Sequence, residues 1–418
     1  MQINLEKFTK PCPCGKKHEI TVKKIYLEPH AVNRLSGILD EYTCPVLICD
    51  TNTKRASETA MKDYFESHKV IELPPENLHA DNQTVDLITT TLPSSADILV
   101  AVGSGTIHDL VRYVSGAVGI PFIAVPTAAS VDGFVSNMAA MTWHGLKKSF
   151  VSVAPLYVVA DTNIFANAPY RLTASGISDL MGKYTALADW ELAHIITDEY
   201  FCQHTRDLVM QTVSDVEGAI ELFAADKNSA IAAEKLMYAL LMSGIAMQMA
   251  GNSRPASGAE HHISHLWEMA VINNELDALH GEKVSIGLLL TLERYERALN
   301  AIKSGTYAFT DKCEMETKLL QDTFGKRGLY DLIMDENGGV LLEPAMVDNF
   351  KQKIGAVAKV LGKLPTYTHI KQMLESVGCL TTMEQIGLND NLKELTLALC
   401  PYVKNRLTMM RLMKAFEY

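Results

Sequence analysis

Residues 254–283, RPASGAEHHISHLWEMAVINNELDALHGEK, concentrate the side chains of this chain most able to do chemistry. Four of its 13 histidines lie between His261 and His280, and imidazole is the commonest metal-donating side chain. Pro255, Ser257 and Gly258 predict a loop. A helix then starts near Ala259 and carries His261, His262 and His265. His261 and His265, four residues apart, project from one helical face a turn apart. A second segment opens at Leu279-His280-Gly281-Glu282-Lys283 and runs into an apolar stretch over 284–292. This suggests a metal centre that needs a further, distant ligand. The competing reading is a helix with surface histidines, because HxxxH alone is a common spacing.

The best candidate for that ligand is Asp179 in TASGISDLMGKYTALADWELA. Two imidazoles, one carboxylate and open positions make a catalytic divalent-metal site. Asp179 has a blander role available, as a carboxylate favoured at a helix start. Lys183, four residues on, would share its face and hold an anion nearby. Asp189 and Glu191, further along, are expected to be solvated.

Two kinds of element must position these groups. From Lys23 the chain alternates β-rich runs at 25–27, 46–50, 70–73, 97–102, 122–126 and 156–161 with helical stretches at 31–41, 56–67, 80–91 and 107–115. That alternation predicts βαβ units and a mainly parallel sheet. A hairpin is expected at 138–143 and 146–151, with Lys147 and Lys148 on its return arm. Beyond Asp161 the strand signal largely disappears. Helices are predicted at 178–195, 205–225, 229–249, 285–303, 344–361, 369–377 and 403–416. The expected architecture is an N-terminal extension over 1–22, a Rossmann-like α/β dinucleotide-binding domain over 23–165, and an all-helical metal and substrate domain over 166–418.

The α/β half carries its own chemistry. In DILVAVGSGTIHDLVRYV, Gly103, Ser104, Gly105 and Thr106 form a strand-to-helix turn, where backbone N–H groups can meet a pyrophosphate. The GxGxxG fingerprint is not met, because His108 stands at the third glycine. Asp50 ends the strand VLICD and could take ribose hydroxyls, yet it precedes the glycine turn, the reverse of the ordinary Rossmann order. IAVPTAASVDGFVS then delivers Thr127, Ser130, Asp132 and Ser136 on a small-residue loop after a strand.

Composition bounds the rest. The 418 residues are 48% hydrophobic and 21% charged, ordinary for a globular protein. A net charge of -11 argues against a nucleic-acid surface and gives no reason to expect membrane insertion. The polar, basic start has no hydrophobic signal region, so the eight cysteines are expected to be reduced thiols in the cytoplasm. The apolar run 236–250, interrupted by Ser243 and Gln248, is expected to be a buried core helix too short to span a bilayer. Cys12, Cys14 and His18 in PCPCGKKH are potential soft-metal ligands, but three donors fall one short of a usual structural zinc site, and a plain loop is the simpler expectation.

VGSGTIHD, PTAASVDGF, LMGKYTALADWE, SRPASGAEHHISH and LHGEK, in this order, resemble the superfamily joining glycerol dehydrogenase, iron-dependent alcohol dehydrogenases and dehydroquinate synthase. The branch of bacterial sn-glycerol-1-phosphate dehydrogenases is the most similar. The motifs span about residues 46–290 and leave the ends of the chain uncovered. The resemblance implies a metal bound by Asp179, His261 and His280, with zinc, nickel or iron as the ion. His262 stays open as an alternative to His261. His265, Asp132 and Lys183 would serve substrate and catalysis. Asp50, Gly103, Ser104, Gly105, Thr106, Ile107, His108, Asp109, Thr127, Ala128, Ala129, Ser130 and Ser136 would hold NAD or NADP. Asp50 would favour a free 2′-hydroxyl, whereas Lys54 and Arg55 could accept a 2′-phosphate.

The implied reaction is reversible reduction of dihydroxyacetone phosphate to sn-glycerol 1-phosphate by a homodimer. Lys183 and Arg254 are the candidates for the phosphate, and His265 for a proton relay. A glycerol-dehydrogenase-like polyol oxidoreductase is the nearest alternative, and a dehydroquinate-synthase-like lyase a more distant one.

Overall fold

The computed structural model describes residues 3–310 and 313–418. Two compact units divide the chain. The first comprises Met1–His144, Lys148–Leu180 and His204–Ser253; the second comprises Gly145–Lys147, Met181–Gln203 and Arg254–Tyr418.

The first unit is built on a parallel sheet of β1 (Lys24–Glu28), β2 (Pro45–Asp50), β3 (Lys69–Leu73), β4 (Ile98–Gly103), β5 (Phe122–Pro126) and a later strand. β6 (Met138–Trp143) and β7 (Leu146–Val151) form a separate two-stranded sheet, and β8 (Tyr157–Asp161) completes the main sheet in the order β1-β8-β5-β4-β2-β3. Every residue of β2, β4 and β5 is buried, which explains their unbroken apolar runs, since parallel strands are covered on both faces. Between the strands lie α1 (Arg34–Leu39), α2 (Thr51–Ser67), α3 (Asn82–Thr91) and α4 (Gly105–Val118).

The strand order resolves the inverted position of Asp50. β2 lies directly beside β4, with Ile48 opposite Ala101, so both strands deliver their C-terminal ends, Asp50 and Gly103, to one edge. The chain leaves β2 towards β3 and leaves β4 towards β5, in opposite directions. This is a topological switch point, where open α/β sheets bind ligands.

α5 (Thr162–Phe165), α6 (Tyr170–Met181), α7 (Lys183–Thr197), α8 (Gln203–Ala225), α9 (Ala230–Ala250), α10 (Ala259–Glu268) and α11 (His280–Ser304) follow. α9 lies within a residue of the helix expected at 229–249; its 21 residues are long and apolar enough to cross a membrane, but most of its apolar stretch is buried inside the protein. The core of the second unit gathers Trp267, Tyr295, Phe324, Phe350 and Tyr402.

Several expected elements differ. α2 starts at Thr51 rather than 56, because the Asp50 carboxylate accepts from Asn52 N and Thr53 N and the Thr53 hydroxyl answers the Asp50 N–H, a capping box. The helix expected at 178–195 is interrupted at Gly182, so Asp179 and Lys183 belong to different helices and do not share one helical face. Residues 344–361 are two helices, Pro344–Gln352 and Ile354–Leu361, parted at Lys353, whose ammonium donates to Ile195 O at 2.6 Å. The helix expected at 403–416 is reduced to one short helix, Met409–Leu412, and a 3-10 turn, Met413–Ala415, before a strand, Phe416–Glu417, paired with Ala308–Phe309. There the buried Arg411 guanidinium satisfies Leu341 O, Val340 O, Lys404 O and Asn337 Oδ1, so the segment packs as an irregular, side-chain-bonded stretch.

Candidate active site

In the first unit the site begins at the glycine turn. β4 stops at Gly103 and α4 starts at Gly105; Ser104, between them, makes no side-chain cap, so the first N–H groups of α4 stay available to an anion. A Cβ on Gly103 would lie 2.5 Å from Ile107 Cβ, so the turn closes this tightly only with glycine there. Thr127 N donates to Gly103 O at 2.9 Å and ties the loop after β5 to the turn. His108, at the third-glycine position, is buried; its Nδ1–H donates to Ser104 O at 2.8 Å and its ring packs edge-on to Phe134. Burial pushes its pKa down to about 3, against the hydrogen bond, so the imidazole is neutral.

The loop over 127–136 is braced by Arg112, a residue outside the motifs VGSGTIHD and PTAASVDGF that flank it. Its guanidinium is fully buried, donates to Ser136 O at 2.7 Å and to Gly133 O, and pairs with Asp109 at 2.6 Å. Asp132 is held from two sides: its N–H donates to Asp179 Oδ2 at 3.0 Å and its own carboxylate accepts from the Ser243 hydroxyl at 2.8 Å. The Ser130 hydroxyl is buried without a partner among the described residues, which is unusual without a ligand to complete it. Asp50 spends one carboxylate oxygen on the cap of α2. Lys54 is paired with Glu72 at 2.7 Å, and Arg55 reaches only Asn52.

In the second unit, α10 and α11 pack together and bring three imidazoles into one group. The ring centroids of His261 and His280 are 5.2 Å apart, those of His265 and His280 5.9 Å, and those of His261 and His265 6.1 Å. Gly287 permits the approach: a Cβ there would meet Glu260 O at 2.5 Å. His261 Nδ1 lies 2.7 Å from Glu260 Oε1 and His280 Nδ1 lies 2.9 Å from Glu268 Oε1. A carboxylate only accepts, so Nδ1 carries the proton in both rings and Nε2 keeps its lone pair.

Both carboxylates are prepared for this. Burial alone would push Glu260 up, but the His261 hydrogen bond holds it below the usual range, with help from the Thr185 hydroxyl at 2.5 Å and Gly258 N at 2.6 Å. For Glu268, burial is outweighed by Lys147 at 3.0 Å, Lys283 at 3.5 Å and His280, and its pKa falls well below normal. Lys147 is therefore an internal partner of the histidine cluster.

The neighbours divide clearly. His262, the other member of the HH pair, is buried with both ring nitrogens unpartnered among the described residues, and burial holds it well below its ordinary pKa. Burial also holds His265 well below its ordinary pKa, and its Nδ1 lacks a partner among the described residues. Asp189, expected in solvent, is fully buried and accepts from Ala259 N, the Tyr295 hydroxyl and Met409 N at 2.6–2.8 Å, pinning the start of α10. Burial and the Glu260 charge push its pKa up to about 7. Glu191 is instead on the surface side, paired with Lys363.

Lys183 opens α7 and is fully buried. Arg254 forks onto the Glu199 carboxylate and donates to Leu407 O at 2.7 Å. Lys404, outside every motif, is buried, and desolvation lowers its pKa to about 7. Glu268 could have been found from sequence, since it lies three residues after His265 on the face carrying His261. Lys404 could not, because it reaches this unit's core from an irregular segment.

Three comparisons bear on this geometry. The family of iron-containing alcohol dehydrogenases matches residues 26–169. The chain is 33% identical over 415 residues to a glycerol-1-phosphate dehydrogenase [NAD(P)+] of Geobacillus stearothermophilus, covering 96% of this chain and 95% of that one. It is 31% identical over 418 residues to the enzyme of that name from Geobacillus thermodenitrificans, covering 97% and 96%. Among solved structures it resembles an archaeal halo-thermophilic Red Sea brine pool alcohol dehydrogenase, with a TM-score of 0.63 and 15% identity over 96% of this chain and 94% of that one, a likeness of fold.

Proposed function

The chain belongs to the glycerol-1-phosphate dehydrogenase family and is an NAD(P)-linked oxidoreductase of that kind; on that premise we propose that it reduces dihydroxyacetone phosphate to sn-glycerol 1-phosphate, reversibly, with a divalent ion held by Asp179, His261 and His280. One observation carries the reading: two facing imidazoles whose Nδ1 atoms are both committed to buried carboxylates, leaving two Nε2 lone pairs. Carboxylate-backed histidine is the usual form of a metal ligand, and the donor set accepts zinc, nickel or iron. His261 is preferred to His262 because only His261 has the backing carboxylate and the facing His280. When bound, the ion supplies Lewis acidity towards the substrate's ketone oxygen.

The other roles fall to the chain's own groups. We assign the dinucleotide to Asp50, to residues 103–109, and to Thr127, Ala128, Ala129, Ser130 and Ser136. The unpartnered Ser130 hydroxyl and the uncapped start of α4 support that assignment. Asp50 at the switch point, with Lys54 already engaged by Glu72, favours NAD over NADP. Asp132, oriented by Ser243 and Asp179, is assigned to a substrate hydroxyl. His265, kept neutral by burial, can take up or release one proton at the alcohol oxygen. Lys183 and Lys404 are the cations assigned to the phosphate; Lys404 is costly to bury charged and regains its proton beside an anion. Arg254, engaged by Glu199, supports them from further out. We take the working form to be a cytoplasmic homodimer.

The test is NADH oxidation with dihydroxyacetone phosphate across zinc, nickel and iron, with chiral analysis of the product. Equal turnover of glycerol would favour the polyol dehydrogenase reading, and turnover without net NADH change the lyase reading. Lys404→Met should raise KM for the phosphorylated substrate by about tenfold or more, as for a lost charge-assisted hydrogen bond, and leave any glycerol turnover alone. An unchanged KM removes Lys404 from the phosphate site.

A further inference from the structure

The N-terminal motif PCPCGKKH plays no part in the dehydrogenase chemistry, yet its donors converge. The geometry points to a second, structural metal site in which Cys12, Cys14 and His18 hold a thiophilic divalent cation, zinc by preference.

The thiols of Cys12 and Cys14 and a ring nitrogen of His18 all lie within 4.8 Å of one another. Cys14 Sγ is 3.6 Å from His18 Nε2. His18 is 2% exposed, and its Nδ1 lies 2.7 Å from Met249 O, near the end of α9. A carbonyl only accepts, so Nδ1 carries the proton and the Nε2 lone pair faces the sulfur. An imidazole oriented through its far nitrogen by a backbone carbonyl is what metal-bound histidines usually show.

The local chain is shaped for this. Gly15 takes φ +81 and its N–H closes a turn on Cys12 O at 3.0 Å, which brings the two cysteines of CxC together. The need is also visible: between the short helix Glu6–Phe8 and β1 the chain has no regular secondary structure. The stretch is anchored by the His18 bond and by Thr21 on the Gln248 side chain. A metal joining Cys12, Cys14 and His18 would staple that stretch to α9. The fourth position of a tetrahedral zinc would be filled by solvent or another thiol.

The experiment uses the full chain purified without a metal-affinity step, dialysed and reloaded with zinc. The native protein should retain about two zinc ions per chain by atomic emission, one for each proposed site. Cys12→Ser/Cys14→Ser should retain about one, keep turnover within about twofold, and melt at a lower temperature, as expected when a metal's binding energy supports folding. The native protein gives a readout that does not depend on how that variant folds. Cobalt loading should produce a thiolate-to-cobalt charge-transfer band, and a thiol-directed mercurial should release one zinc to a colorimetric chelator without unfolding the chain. Equal zinc in the native protein and the double variant, or native protein with no charge-transfer band and no mercurial-released zinc, overturns the proposal.

Discussion

The glycine turn of the first unit and the histidine cluster of the second solve opposite problems. The turn is built from backbone: an uncapped helix start, a glycine where a Cβ would strike Ile107, and a neutral imidazole folded away beneath it. Nothing there needs to be ionised for the site to exist. The cluster is built from side chains, and two of its three imidazoles, His261 and His280, each depend on a carboxylate that is itself kept charged by neighbours. A backbone site is thus sensitive to shape and indifferent to protonation, whereas a side-chain site depends on a chain of ionised partners. Losses should accordingly be graded in the second unit and steric in the first.

The largest expected effect is at His280→Ala. Turnover should fall by at least about a thousandfold, the scale of losing several kcal/mol of charge stabilisation, together with metal content by atomic emission, while circular dichroism stays native. Retained turnover and metal would break the assignment of the cluster. Next comes Glu268→Gln, which keeps the shape but removes the charge behind His280. It should weaken metal affinity by about 10- to 100-fold in a metal titration and leave the KM for NADH unchanged. Equal losses in both would mean the two regions are not separable in this way.

In the first unit, Gly103→Ala forces the added methyl against the β-branched Ile107. The expectation is a KM for NADH raised by about tenfold, the cost of roughly 1.4 kcal/mol of displaced backbone contact, with metal affinity intact. The smallest effect concerns pH. His108 has its folded pKa depressed to about 3 from an ordinary 6.5. Its contribution to stability is therefore complete above about 6.5 and lost progressively as pH falls towards 3, by no more than about 1.4 kcal/mol per pH unit. His108→Asn, whose amide can still donate to Ser104 O, should flatten the fall in melting temperature between pH 7 and 5. An unchanged slope would place the acid-sensitive group elsewhere.

Much of this was legible in the chain. Alternating apolar runs and helical stretches predicted the strands within a residue or two, because fully buried parallel strands leave a continuous apolar signature. The loop residues Pro255, Ser257 and Gly258 placed the start of α10 near Ala259, where it lies. Other features had no local signature. Residues 403–416 looked helical, but the buried Arg411 bonds to carbonyls that periodicity cannot foresee. Asp189 looked solvated, but three donors far apart in sequence converge on it. The break that puts Asp179 and Lys183 in different helices is the single residue Gly182, too short for pattern reading to detect.

By itself, then, the sequence determined which residue types were available and which elements would carry them, because hydrophobic period and turn chemistry are local properties. Only the tertiary structure decided which of those residues meet. The strand order sets Asp50 beside Gly103 although some fifty residues separate them. The packing of α11 on α10, through the missing side chain of Gly287, turns a doublet of histidines and a distant third into a cluster with assigned protons. Contacts of that kind depend on long-range packing, and no window of neighbouring residues contains the information.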